Sequence, residues 1–102
     1  RFINENLDKE LNIKVLAEKY FSHPTHFIRS FRDKTGTTPK QYVRQKRIEN
    51  AKLLLEKTDL TIWEITQKIG FKDETHFYRC FKETYNMSPT TYRNYYKSQL
   101  II

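Results

Sequence analysis

The same side chains recur in two short stretches of this chain at an offset of 50 residues: Thr25-His26-Phe27, Arg29 and Phe31, then Thr75-His76-Phe77, Arg79 and Phe81. In each stretch the phenylalanines sit four apart and share one face of a helix, which leaves the arginine on the opposite, outward face. Thr25, Ile28, Arg29 and Arg32 face outward together by the same rule. A guanidinium presented in this way can fork onto a guanine edge or pair with a phosphate. Metal chemistry finds less support. His23, His26 and His76 have no ligand spacing with Cys80, and His26 and His76 are repeat equivalents in separate halves, so no metal and no other cofactor is expected. An enzyme is disfavoured as well, because no nucleophile–base pair or phosphate-cradling glycine loop is present.

The elements that must position these residues follow from the punctuation around them. Asn12 can cap a helix whose Ile13, Leu16, Ala17 and Tyr20 share one face. A turn at Phe21-Ser22-His23 then leads to Pro24, which suits the first position of a second helix, and Gly36 closes that helix in the left-handed conformation. This is a helix-turn-helix unit over 11–36. Leu60-Thr61-Ile62 followed by Ile65 matches Leu11-Asn12-Ile13 followed by Leu16 at an offset of 49, with one extra residue in the second turn. The second unit therefore spans 60–86.

Between the units, 38–57 reads as one long helix, started by Thr38 and Pro39 and uninterrupted by glycine or further proline. The eighteen residues after Pro39 span roughly 27 Å at 1.5 Å per residue, a spacer that holds apart whatever it joins. Ser88-Pro89 and Tyr92 repeat Thr38-Pro39 and Tyr42 at the offset of 50, which places a closing helix over 89–97. Phe2, Ile3 and Leu7 suggest the end of a further helix near the start. No segment alternates with period two. The expected fold is all-α, two helix-turn-helix subdomains joined by a long linker helix, with about seven helices.

Nineteen Lys and Arg against twelve Asp and Glu give the 102 residues a net charge of +7 and a pI near 9.6, with 37% hydrophobic and 15% aromatic residues. So many aromatic and aliphatic residues exclude a disordered basic tail and leave a folded basic domain whose leading partner is a polyanion. The linker alone carries Lys40, Arg44, Lys46, Arg47, Lys52 and Lys57 against Glu49 and Glu56, net +4, so part of it should lie near phosphate. The solvated-face reading is preferred for Lys52 and Lys57. From His23 to Thr35 the charge is +2, and from Lys72 to Glu83 it is zero, so the first unit should anchor more strongly. An RNA-binding or ribosome-associated basic helical domain is the alternative; it would explain the charge but not a ruler between two equivalent outward faces.

A single cysteine excludes an internal disulfide and favours a cytosolic setting. No run approaches the roughly 18 apolar residues of a membrane span, and no signal-peptide pattern is present, so a cytoplasmic protein without membrane contact is expected. The chain opens on Arg1 in mid-pattern, as a carboxy-terminal portion of a longer protein would.

Two helix-turn-helix units on a rigid linker, with RIENAKLLLEKTDLTIWEITQKIGFKDETHFYRCFKETYNMSP through the second half, resemble the DNA-binding domain of the AraC/XylS family of bacterial transcription regulators. The resemblance covers 2–96. It implies a seven-helix domain whose third and sixth helices enter successive major grooves of double-stranded DNA, usually following an effector-binding or dimerisation domain, absent from this sequence, although a minority of members consist of the DNA-binding domain alone. It also implies base-reading positions at Thr25, Ile28 and Arg29 and at Glu74, Thr75, Tyr78 and Arg79. His26, Arg32, Lys40, Arg44, Lys46, Lys72, His76 and Lys82 are then expected on the DNA backbone. Glu74 has a second reading, as a favourable charge in the first turn of its helix.

The chain departs from the family pattern at Phe21, where a turn glycine is usual although Gly70 is kept, at His23, which stands where a serine commonly caps, and at Asn86, which replaces a glycine. Trp63 is left with two readings: packing on the linker helix, or exposure toward a phosphate, RNA polymerase or a missing domain. Cys80 reads as a small semi-buried filler, Tyr42 and Tyr92 as core. Tyr95, Tyr96 and the terminal Leu100-Ile101-Ile102 either pack on the last helix or fray.

Overall fold

The computed structural model describes residues 13–20 and 23–100, and all regular structure among them is helical. Six helices follow one another: α1 Ile13–Lys19, α2 Pro24–Thr35, α3 Pro39–Lys57, α4 Ile62–Lys68, α5 Glu74–Tyr85 and α6 Pro89–Leu100. The helix expected near the start, the Asn12 cap, Phe21 and Ser22 of the first turn, and Ile101-Ile102 lie outside the described residues.

The chain divides into two compact units between Lys46 and Arg47. The division falls inside α3, and each unit takes part of it. The reason is the size of a two-helix hairpin, which buries too little apolar surface to hold a core without a third helix.

In the first unit Leu16 and Ala17 of α1, Phe27 of α2 and Val43 of α3 are buried together, with Phe31 and Tyr42 packed against them. The aromatic rings form a series: Tyr20 stacks on Phe27 at 5.6 Å, Phe27 meets Phe31 at 5.8 Å, and Phe31 meets the edge of Tyr42 at 5.5 Å. In the second unit Ile48, Ala51 and Leu55 of α3 join Ile65, Ile69 and Phe71 and the α5 residues Phe77, Cys80 and Phe81. Phe81 contacts both Tyr85 and Tyr92, at 4.8 and 5.8 Å. Tyr42 and Tyr92 line their cores from the half-buried side rather than filling the centre.

Local chemistry sets where the helices begin and end. The Nδ1 of His23 accepts from the Thr25 N–H at 3.2 Å, so a histidine caps α2, and Pro24 follows in the first position. Gly36 at φ 82° and Asn86 at φ 62° close α2 and α5 in the left-handed region, donating to the carbonyls of Arg32 and Lys82. Thr38 and Gln41 exchange hydrogen bonds at 3.2 Å each way at the start of α3. Thr61 and Glu64 do the same for α4, at 3.1 and 2.8 Å. Asp73 caps α5 by accepting from the His76 N–H at 2.8 Å, and Ser88 caps α6 by accepting from the Thr91 N–H at 3.1 Å.

Two readings are corrected here, and a third is decided. The closing helix continues past residue 97 to Leu100, because no glycine or proline stops it and Lys97 is tied to Asp59 at 2.8 Å. Cys80 is buried rather than semi-buried, lying one turn from Phe77 on the inward face of α5. Of the two readings of Trp63 the exposed one holds; it is 60% exposed, because Ile65, Thr66 and Ile69 occupy the inward stripe of that turn.

Candidate nucleic-acid interface

The outward face of α2 is set by the burial of Phe27 on its other side. Thr25, His26, Arg29 and Arg32 are exposed along it, and Ile28 is half-buried. On α5 the burial of Phe77, Cys80 and Phe81 likewise turns Glu74, Thr75, Arg79 and Lys82 outward, with Lys72 exposed just before the helix. Each unit thus gathers its own base-reading candidates on one helix face. Glu74 stands at the first helical position, beside the Asp73 cap, so it also meets the positive end of the helix dipole.

Three predicted residues are less free than the rest. Tyr78 is half-buried, its ring edge-on to Phe77 at 6.2 Å, and its hydroxyl is 3.0 Å from Thr90 Oγ1. His76 is half-buried with its ring 5.0 Å from Phe71, so it closes the turn into α5 as well as flanking the outward face. On α3, Lys40 and Arg44 are exposed, whereas the Lys46 ammonium lies over the Tyr42 ring at 5.5 Å. Lys52, read as a solvated charge, sits over Tyr85 and Tyr92 and pairs with Glu56 at 3.7 Å.

Sequence reasoning passed over the residue that ties α6 to the end of α3 and the turn after it. Arg93 donates Nε to the Leu55 carbonyl at 3.2 Å, Nη1 to that of Leu60 at 2.6 Å and Nη2 to that of Thr58 at 3.2 Å. These carbonyls belong to the end of α3 and the turn beyond it, where the helix supplies no partners of its own. One signal was present: the repeat equivalent of Arg93 is Val43, which is buried. Beside it Tyr92 donates a short hydrogen bond to the Glu56 carboxylate. Burial first, and then that carboxylate, push the Tyr92 phenol well above the usual tyrosine range.

No group of three or more His, Cys, Asp or Glu among the described residues is placed to hold a metal, and no described helix is long and apolar enough to cross a membrane.

Two helical units, each turning one arginine-bearing helix outward, define a tandem helix-turn-helix protein. A helix-turn-helix domain model matches residues 16–95. Over 93 residues the chain is 33% identical to the uncharacterized HTH-type transcriptional regulator YobQ of Bacillus subtilis (strain 168), covering 91% of this chain and 39% of YobQ. It is 32% identical over 93 residues to the regulatory protein SoxS of Salmonella typhimurium (strain LT2), covering 91% of this chain and 87% of SoxS. The crystal structure of the DNA-binding domain of AdpA, a global transcriptional factor, in complex with a target DNA matches with a TM-score of 0.94 at 28% identity, covering 96% of this chain and 88% of that one. The chain belongs to the AraC/XylS family of helix-turn-helix domains. It spans well under half the length of YobQ and close to the whole length of SoxS.

Proposed function

We propose that this chain reads double-stranded DNA in the bacterial cytoplasm as part of a transcription regulator, and that it is not an enzyme. In this reading α2 and α5 each enter a major groove, with Thr25, Ile28 and Arg29 meeting bases in one half-site and Glu74, Thr75, Tyr78 and Arg79 in the other. Arg32, Lys40, Arg44, Lys72 and Lys82 lie toward phosphate, with His26, His76 and Lys46 at the margin. The observation that carries the proposal is the recurrence of an exposed threonine and arginine on both second helices, opposite buried phenylalanines. The relative solved on a target DNA supports it. Trp63, 60% exposed, is the side chain we assign to a protein partner, either RNA polymerase or an effector or dimerisation domain of the same regulator.

Competition of a labelled duplex against single strands and RNA, repeated over a range of salt, tests the proposal. With about six phosphates neutralised, log affinity should fall with log salt at a slope of about −5, and duplex should win the competition. Arg44→Ala should weaken binding to all duplexes alike and make the slope shallower by about one. Salt-independent binding, or a preference for RNA or single strands, contradicts the reading.

A further inference from the structure

Among the side chains that the resemblance assigns to base reading, Tyr78 has its polar atom engaged within the protein. Its hydroxyl lies 3.0 Å from the Thr90 Oγ1, across from α5 to the second residue of α6. The pair stands at the surface: Thr90 is exposed and Tyr78 half-buried, its ring fixed edge-on against buried Phe77. Thr90 makes no other side-chain hydrogen bond among the described residues.

Either hydroxyl can donate in this pair, and the direction from tyrosine to threonine is the favoured one, because a phenol is a far stronger acid than an aliphatic alcohol. The donating phenol has then spent its single proton and keeps only lone pairs toward the outside. In the major groove an acceptor of that kind suits the exocyclic amines of adenine and cytosine, and is mismatched to the carbonyl oxygens of guanine and thymine. The repeat shows that the device belongs to the second unit alone, since Ile28 and Lys40 occupy the equivalent positions in the first.

We propose that Thr90 is a positioning residue for DNA recognition, taking the phenolic proton of Tyr78 and holding that side chain as a preset acceptor that selects adenine or cytosine at one step of the second half-site. Fixing the ring and hydroxyl beforehand also removes the ordering cost that a free tyrosine would meet on binding. The proposal rests on the DNA-reading function above and specifies what one of its side chains selects.

The test is selection by the full chain from duplexes randomised across both half-sites, with thermal melting to confirm folding. Wild type should prefer an amine-bearing base at one step of the second half-site. Thr90→Val, which frees the phenolic proton to be donated, should cut that discrimination by about tenfold and admit guanine or thymine. Tyr78→Phe should cut it as far, the double variant no further, and Thr90→Ser should retain it. If Thr90→Val keeps the wild-type profile, or weakens all duplexes equally, the positioning role is wrong while the DNA reading stands. If wild type selects no duplex at all, both are wrong.

Discussion

Arg93 and the pair Arg29 and Arg79 show how differently three arginines of one chain are used. The guanidinium of Arg93 closes three carbonyls that would otherwise lack partners, and its planar fork is what allows one side chain to reach all three. Replacing it with methionine should cost about 2–3 kcal/mol and lower the melting temperature, and lysine should not rescue it, because an ammonium cannot span the same carbonyls. Arg29 and Arg79 are exposed and held for a partner. Arg29→Ala should leave stability unchanged, relax base preference in one half-site and cost roughly 1–3 kcal/mol of binding, and Arg79→Ala should act on the other half. Selection profiles of the two variants decide this; if both alter the same base pairs, the two-reader account fails. The outward pair was legible in the sequence, because phenylalanines four residues apart fix which face is inward. The role of Arg93 was not, since its acceptors are backbone atoms 33 to 38 residues away.

At the scale of elements, helix starts were the most legible feature and helix partners the least. Thr38-Pro39 and Ser88-Pro89 announce α3 and α6 through residue type alone, and Thr61 with Glu64 forms a reciprocal cap. Thr61→Ala should cost about 1 kcal/mol of stability, read by denaturant or thermal unfolding. Glu64 adds a pH dependence of known sign. Hydrogen bonds from the Thr61 backbone, and then its side chain, hold the Glu64 carboxyl below its ordinary value. The Lys97 ammonium does the same to Asp59 through a hydrogen bond and its charge. A lowered folded pKa means stabilisation that is present above the unfolded value and lost as pH falls through the folded one. Melting temperature should therefore drop on acidification through the carboxylate range, and Glu64→Gln should flatten part of that drop. The sequence left Trp63 between two readings because its exposure depends on which neighbouring side chains have already filled the inward stripe, and the extension of α6 to Leu100 escaped it because the Lys97 partner, Asp59, is 38 residues away.

For the whole molecule, the repeat was readable from spacing, while the division within α3 was not. A long basic amphipathic helix looks the same whether it is a free spacer or the third helix of two successive cores. Ile48, Ala51 and Leu55 lie in one core and Val43 in the other, on a single helix of 19 residues. The sequence reading of a spacer helix between two readers leads us to propose that both meet one duplex in a fixed phase, since successive major grooves recur about every 34 Å. The most direct measurement leaves the protein intact and varies the DNA. Affinity is determined for duplexes whose half-sites are separated by zero to ten additional base pairs. Five or so extra pairs put the half-sites on opposite faces of the duplex, and binding should fall there to the level of a single half-site. The first unit should be the one retained, because its reader carries +2 where the second carries no net charge. Affinity that stays level across all spacings would contradict the account, since it would mean that the units move independently or that only one of them engages DNA.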